Sequence, residues 1–172
     1  MGASRQDEFE AYVRRSRGSL LRSATLLTAG DTHLAEDLVQ TTLVRLYLGW
    51  PRARRTNLDA YARRALLNAL IDEKRRPFAR RERAVEQVPE TIAETSTDVP
   101  NPVLTALATL PPGMRAVVVL RHIEGLSVEE TAATIGSSPG NVKSQTARGL
   151  DKLRAALASA TTDQGELHAR TD

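Results

Sequence analysis

The sequence predicts an all-α fold of two small helical domains joined by a flexible linker, the second being a helix-turn-helix domain. Ala, Leu and Arg dominate the 172 residues and only 3% are aromatic, a composition that favours helices over sheets. Apolar residues recur every three to four positions in several stretches, as in amphipathic helices. Residues 81–101 lack this spacing and contain Pro89 and Pro100, which is typical of a tether. The predicted divisions are a first domain at 1–80, the linker at 81–101, a second domain at 102–158 and a polar tail at 159–172.

The first domain is predicted to begin with two stretches of helical spacing. Residues 7–27 form one helix or two before Gly30 interrupts the pattern. Asp31 or Thr32 then caps a second long helix, whose apolar residues recur until Pro51 stops it. The polar face of this second helix carries Glu36, Asp37, Gln40 and Arg45.

A third helix is predicted after the short basic segment at residues 52–55. Thr56 followed three residues later by Asp59 resembles a capping box, with a carboxylate near the helix N-terminus. An apolar stripe follows until Pro77 ends the helix. The other side of this helix is left to Arg63, Arg64, Asn68 and Asp72.

The second domain is predicted to hold four short helices, and its last two carry the strongest local signals. Ser127 with Glu130 makes a capping box, and Gly136 stands where a left-handed residue ends a helix. Ser138 and Pro139 then supply an N-cap and a first-turn proline. This order predicts a helix, a tight turn and a second helix. The four predicted helices cover residues 103–110, 113–123, 127–135 and 139–157.

The last of these helices has the polar face expected of a recognition helix that enters the DNA major groove. Lys and Arg bond guanine or phosphate, Asn and Gln pair with adenine, and Ser bonds either. The alternative is a plain helical hairpin, which also needs caps and a polar outer face. The outward residues are Asn141, Lys143, Ser144, Gln145 and Arg148; the inward ones are Thr131, Ala132, Ile135, Val142, Leu150 and Leu153.

Charge is unevenly distributed along the chain. Residues 52–83 hold eleven Arg or Lys against four Asp or Glu, whereas residues 84–100 hold four acids and no base. The basic block suits a polyanion, and a solvated charged surface is the alternative. Trp50 beside the basic segment at residues 52–55 suggests a surface that stacks and holds single-stranded DNA. A core position for Trp50 is the other interpretation, because it lies in phase with apolar residues of the second helix.

Several functional classes find no support in the sequence. There is no cysteine, and the three histidines stand far apart, so neither a metal site nor a thiol nucleophile is predicted. No phosphate loop, nucleophile elbow or paired-carboxylate pattern occurs, so we expect no cofactor and no enzyme activity. No apolar run is long enough to span a membrane, and no signal peptide is present, so the expected location is the cytoplasm.

Three segments together resemble one known family. The segment AEDLVQTT at residues 35–42 is similar to the polymerase-binding helix of extracytoplasmic-function sigma factors, which belong to the sigma-70 superfamily. The segments LPPGMRAVVVLRHIEGLS at residues 110–127 and GNVKS at residues 140–144 resemble the family's C-terminal helix-turn-helix domain. The pattern NLDAY at residues 57–61, preceded by a tryptophan, most resembles an actinobacterial subgroup.

The resemblance implies a function and a set of residue roles. A sigma factor directs core RNA polymerase to specific promoters and initiates transcription, so the implied partners are core polymerase, promoter DNA and an anti-sigma factor. The implied polymerase-binding residues are Asp37, Gln40 and Thr41. The implied minus-10 residues are Trp50, Arg52, Arg54, Arg55, Asn57, Arg63, Arg64 and Asn68. The implied minus-35 residues are Asn141, Lys143, Ser144, Gln145, Ala147 and Arg148.

The sequence departs from the family pattern at three positions. Thr41 stands where an acid often follows the glutamine of the polymerase-binding helix. Gln145 and Ala147 stand where an arginine and a larger residue are found, so the minus-35 sequence read here is expected to differ from the usual one. Two other functions compete with the sigma factor: an ordinary helix-turn-helix regulator, whose first domain would dimerise or bind an effector, and a helical adaptor without DNA binding.

Overall fold

The structure of the protein is a computed structural model that describes residues 4–81 and 101–169, with side chains at 4–75 and 101–159. The described residues form eight helices and no strand, which confirms the all-α class. The chain divides into two compact units, Met1–Ala24 with Asp31–Thr95 and Thr25–Gly30 with Ser96–Asp172. Most of the predicted linker, residues 82–100, lies outside the described residues, and the sequence-based domain boundaries stay predictions.

The first unit is built from four helices. These are α1 Arg5–Leu27, α2 Thr32–Leu48, the single turn α3 Trp50–Ala53 and α4 Leu58–Arg81. The Asp31 side chain accepts a hydrogen bond from the Leu34 amide at 2.9 Å, so Asp31, one of the two predicted candidates, is the N-cap of α2. Helix α2 packs against α4. The core holds Tyr12, Leu20, Leu38, Val39, Leu46, Trp50, Leu66 and Leu70, all at most 5% exposed.

Three details of the first unit differ from the sequence prediction. Helix α2 ends at Leu48, and the amide of its C-cap, Gly49, donates to the Arg45 carbonyl. Trp50 then begins a separate turn, in which Pro51 is the second residue. Asn57, rather than Thr56, caps α4: its side-chain oxygen accepts from the Ala60 amide at 3.0 Å. The Thr56 hydroxyl donates instead to the Ala53 carbonyl, because it closes the preceding turn.

Helix α4 also runs farther than predicted, through Pro77 to Arg81. A proline inside a helix removes one backbone hydrogen bond and is unfavourable by about 3 kcal/mol, but its fixed φ is compatible with helical backbone. It therefore does not oblige the chain to leave the helix, and the expected stop at Pro77 is wrong.

The second unit contains the four predicted helices at nearly the predicted positions. They are α5 Pro102–Ala108, α6 Pro112–His122, α7 Val128–Ile135 and α8 Pro139–Ala169, so α8 continues beyond the predicted end at residue 157. Helices α5, α6 and α7 all pack against α8. The unbroken apolar run of α6 lies at the centre, since Val117, Val118, Val119 and Leu120 are at most 2% exposed.

Arg115 explains one part of the segment that carried the family resemblance. Its guanidinium donates to the carbonyls of Leu107 at 2.8 Å, Leu110 at 3.1 Å and Ala108 at 3.4 Å. These carbonyls lie at the end of α5 and in the turn after it, where an α-helix leaves acceptors without helical partners. Burial lowers the pKa of Arg115 from its ordinary value, yet the group stays charged because that value is far above neutrality. Arg115 thus holds α5 and the start of α6 together.

Candidate functional site

The turn between α7 and α8 has the geometry that its sequence predicts. The Ser127 hydroxyl accepts from the Glu130 amide at 3.0 Å, and the Glu130 carboxylate accepts from the Ser127 amide at 2.7 Å, which completes the capping box. Gly136 adopts a left-handed conformation with φ 67°, which glycine allows at little cost. The Ser138 hydroxyl then accepts from the Asn141 amide at 3.2 Å and starts α8. These local bonds help to set the direction in which α8 leaves the turn.

The buried side of the α7–α8 pair fixes α8 in the second unit. Val117, Ala132 and Val142 form a buried apolar cluster, with Ile135 packed against it. Gly149 permits the closest approach: a Cβ added there would lie 2.5 Å from Val118 Cγ2 and 3.0 Å from Met114 Cγ. A Cβ at this position therefore requires Val118, Met114 or α8 itself to shift.

The outer side of α8 presents the residues predicted to read duplex DNA. Asn141, Lys143, Ser144, Ala147 and Arg148 are exposed, and Gln145 is partly exposed. The Asn141 side-chain amide donates to the Ser137 hydroxyl at 2.8 Å, so that amide is already oriented by the turn. Among the described residues, no ion pair involves Lys143 or Arg148. Both cations therefore remain available for a phosphate or a guanine.

A second polar surface lies where α3 meets α4 in the first unit. Arg52, Arg54, Arg55 and Asn57 are all exposed, as are Arg64 and Asn68 on α4. Arg64 and Asn68 lie one turn apart and face the same way. Arg63 lies on a different side of the helix and is partly buried, with its Nε lacking a hydrogen-bond partner. Six of the eight predicted minus-10 residues are thus exposed on α4 and on the segment that precedes it.

Trp50, the remaining predicted minus-10 residue, lies in the core. Its side chain is 2% exposed, and its ring contacts Phe9 edge-on with centroids 5.3 Å apart. Tyr12 lies on it at 5.9 Å. The structure shows the core position that the sequence left open, because neither face of the indole is free to stack on a base. Trp50 supports the corner from beneath.

Contacts from α1 to the α3–α4 corner are ones that the sequence did not indicate. The Glu8 carboxylate accepts from Trp50 Nε1 at 3.4 Å and from Arg54 Nη1 at 3.2 Å. The Tyr12 hydroxyl lies 3.2 Å from Asp59 Oδ1, and burial, the largest cause, raises the pKa of Tyr12 to about 12. No local sequence pattern indicates the contacts of Glu8 and Tyr12, because their partners stand more than 40 residues away along the chain.

The third predicted surface is the polar face of α2. Asp37, Gln40 and Thr41 are exposed, whereas the neighbouring Thr42 is buried and donates to the Leu38 carbonyl at 2.7 Å. Gln40 also borders a cleft of about 610 Å³ between α1 and α2. Exposed apolar side chains also line this cleft, among them Val44, which is 55% exposed, and Leu48, which is 73% exposed. The face therefore joins hydrogen-bonding groups to an exposed apolar strip, as protein interfaces do.

None of the helices in the described ranges is long and apolar enough to cross a membrane.

Family comparisons match both halves of the chain. The family Sigma-70 region 2 matches residues 5–81, and the family Sigma-70, region 4 matches residues 101–153. The RNA polymerase sigma-E factor of Streptomyces avermitilis is 43% identical over 162 residues, which cover 91% of this chain and 88% of the relative. The ECF RNA polymerase sigma factor SigM of Mycobacterium tuberculosis is 30% identical over 148 residues, covering 84% of this chain and 74% of that protein.

Two solved structures are similar to the chain along most of its length. The sigma factor RpoE of Bartonella quintana, solved with the anti-sigma factor NepR, superposes with a TM-score of 0.70 at 24% identity and covers 88% of this chain and 97% of its own. This likeness shows the fold. CnrH, solved in complex with the cytosolic domain of CnrY, superposes with a TM-score of 0.63 at 25% identity and covers 90% of both chains.

Proposed function

Because this chain belongs to the extracytoplasmic-function sigma factors of the sigma-70 superfamily, which direct core RNA polymerase to promoters and initiate transcription, we propose a division of labour between its two units. The first unit binds polymerase and melts the minus-10 element, and the second unit reads the minus-35 element as duplex. The chain catalyses no reaction itself, since the polymerase makes the RNA, and it acts in the cytoplasm beside that polymerase. The two competing functions, a dimeric regulator and an adaptor, lose support because sigma factors align along 91% of the chain.

The observation that carries this proposal is that each unit exposes its own set of cationic and amide side chains. On α8, Asn141, Ser144 and Arg148 recur at helical spacing on one side, and Lys143 and Ala147 lie beside them. The caps of the α7–α8 turn and the buried Val142 hold these positions rigidly. A rigid helix with its first turns exposed is what duplex readout requires, so we assign the minus-35 element to α8.

The minus-10 element is assigned to the α3–α4 corner. Arg52, Arg54 and Arg55 supply positive charge for the backbone of an opened strand. Asn57 uses its oxygen to cap α4, so its amide hydrogens remain to donate to a base or a phosphate. Arg64 and Asn68 extend the same surface along α4. Trp50 is not part of this proposed contact surface, because its ring is enclosed.

A promoter template with a pre-opened bubble over the minus-10 region tests this division. Arg148→Ala should weaken closed-complex formation with the holoenzyme by about 1–3 kcal/mol, the range for a bidentate base contact. Asn68→Ala, Arg54→Ala and Asn57→Ala should spare initial duplex binding and lower permanganate reactivity of the minus-10 thymines. Since the bubble supplies the unpairing energy of a few kcal/mol, it should partly rescue the first-unit variants only. Equal rescue of both classes, or of neither, contradicts the division.

Core polymerase is proposed to bind the α2 face formed by Asp37, Gln40 and Thr41. These side chains are exposed, so replacing them should change the free energy of unfolding by no more than about 0.5 kcal/mol. Asp37→Ala with Gln40→Ala should therefore weaken binding to core in a competition pull-down while leaving the unfolding curve unchanged. Asp151→Ala is the control, because it also removes an exposed carboxylate but lies on α8 of the second unit, where Asp151 pairs with Arg154 at 3.2 Å. Unchanged affinity of the double variant for core would remove this face from the interface.

An anti-sigma factor is proposed as a further partner. CnrH, which superposes along 90% of this chain, was solved with the cytosolic domain of CnrY bound. The exposed apolar strip of Val44, Tyr47 and Leu48 beside the polymerase-binding face offers a surface that such a protein could cover. An anti-sigma factor bound to this strip would compete with core polymerase, because Gln40 belongs to the proposed polymerase-binding face and also lines the cleft.

A further inference from the structure

The Glu8 carboxylate joins the start of α1 to both ends of α3. One oxygen, Oε2, accepts from the indole Nε1 of Trp50 at 3.4 Å and from Nη1 of Arg54 at 3.2 Å. Trp50 begins α3 and Arg54 follows its last residue. A single side chain thus fixes the turn that carries the basic segment at residues 52–55.

The surroundings of Trp50 make this contact specific. Phe9 meets the indole ring at an interplanar angle of 90°, and Tyr12 covers another part of it at 60°. The indole has a single polar atom, Nε1, which can only donate. A buried donor without an acceptor costs about 1–3 kcal/mol, so Glu8 determines which way the ring and its backbone turn are oriented.

The ion pair between Glu8 and Arg54 is exposed, and this exposure helps to distinguish a role in stabilising the fold from a role in positioning the turn. The side chains of Arg54 and Glu8 are 50% and 37% exposed. Exposed pairs contribute little to stability because water screens the charges and two side chains must be ordered. Loss of this contact should therefore change promoter melting more than it changes the stability of the first unit.

We propose that Glu8 is a positioning residue for promoter melting: it holds Trp50 and Arg54 so that the basic turn faces the opened strand. The inference rests on the proposed role of the α3–α4 corner. It adds to that surface a residue of α1 that touches no DNA and acts through Arg54 and the α3 turn.

Two variants of Glu8 and one control separate positioning from general destabilisation. Glu8→Ala removes both bonds. Glu8→Gln keeps an oxygen that accepts from Trp50 but loses the charge that pairs with Arg54. Glu10→Ala is the matched control, since Glu10 stands on the same helix and makes only an exposed contact to Arg14 at 3.9 Å and a bond to Gln6.

The experiment uses the full chain with core polymerase and measures three quantities. These are affinity for core, permanganate reactivity of the minus-10 region on duplex and bubble templates, and fluorescence of Trp50, the chain's one tryptophan. Glu8→Ala should shift the emission of Trp50 and slow melting about three- to tenfold, the factor that corresponds to the net contribution of one ordinary hydrogen bond. Glu8→Gln should recover part of the melting rate. The bubble should restore Glu8→Ala, and the core affinity of Glu8→Ala should match that of the wild type.

Several results would overturn the proposal. Melting by Glu8→Ala equal to that by Glu10→Ala would show that the contact positions nothing. Faster melting by Glu8→Ala would show that Glu8 competes with DNA phosphate for Arg54. If Glu8→Ala proves unfolded by circular dichroism, Glu8→Gln decides: this variant loses the charge that pairs with Arg54, and melting at the wild-type rate then rejects the positioning role of that pair. If Arg54→Ala and Asn57→Ala themselves melt normally, the assignment of the corner fails; if they are defective while Glu8→Ala is not, only this inference fails.

Discussion

Tyr12 shows how one residue can serve both the core and a functional corner. Its ring is 3% exposed and lies against Trp50, while its hydroxyl reaches Asp59 in the first turn of α4. The same hydroxyl lies 3.4 Å from the Leu58 carbonyl. Because α4 begins at Leu58, Tyr12 fixes the start of the helix that carries Arg64 and Asn68.

The raised pKa of Tyr12 predicts a pH dependence of stability. A tyrosine in the unfolded chain titrates near pH 10, whereas burial raises the pKa of Tyr12 to about 12 in the folded chain. The folded state therefore holds this proton more tightly. The stability that comes from this tightly held proton is fully present below about pH 10. It is lost as the pH rises towards about 12, and the loss amounts to at most about 2 kcal/mol.

Urea unfolding of the wild type and of Tyr12→Phe at pH 8 and pH 11 measures this contribution. Tyr12→Phe should cost about 1 kcal/mol at pH 8, from the lost hydrogen bond, and should lose less stability than the wild type at pH 11. Tyr47→Phe, at a tyrosine that is 40% exposed, is the control. Parallel losses in the wild type and Tyr12→Phe would show that another group causes the alkaline effect.

At the scale of the elements, the position of α8 depends on a glycine that its polar face does not reveal. Gly149 follows Arg148 directly and lies against Val118 and Met114 of α6. The polar face of α8 can be presented only while this close contact persists. Packing on one side of the helix thus constrains the duplex readout that we propose for the other.

Two alanine substitutions in α8 test this dependence. Gly149→Ala should destabilise the second unit by about 1–3 kcal/mol, the usual range for overpacking, and should weaken minus-35 binding as α8 shifts. Gly140→Ala is the matched control, because nothing lies within 4 Å of a Cβ added there; its higher helix propensity should make it neutral or up to about 1 kcal/mol stabilising. Thermal unfolding and duplex binding measure both effects. Equal effects of the two alanines would exclude close packing as the reason for Gly149.

Elements defined by local bonds could be predicted from the sequence, and those defined by distant contacts could not. The capping box at Ser127, the left-handed Gly136 and the N-cap at Asp31 all act within about one helical turn, and each was confirmed. The cap of α4 was placed one residue early, because Thr56 and Asn57 are both good caps and only the geometry of α3 selects between them. The Glu8 contact with Trp50 spans 42 residues and left no local signal.

At the scale of the whole molecule, the two units have separate cores, and this predicts that each folds alone. Fragments of residues 1–83 and 101–172 should each be helical by circular dichroism, and limited proteolysis should first cut the intact chain between them. Each fragment keeps the helices of its own unit, except that residues 25–30, which belong to the second unit, remain in the first fragment. If both fragments prove unfolded while the intact chain resists protease, the separation into two independently stable domains is wrong.

The way in which the α7–α8 turn is stabilised bears on how promoter preference diverges among such proteins. Backbone caps, Gly136 and the buried cluster around Val142 maintain the turn, and none of them uses the outward positions 144, 145, 147 and 148. Substitutions at those positions can therefore accumulate at little cost in stability, since exposed helix positions tolerate change. A gene duplicate can acquire a new target sequence while it keeps an unchanged scaffold. Gln145 and Ala147 stand among the positions that we propose to read the minus-35 element, so changes there are expected to alter the preferred promoter.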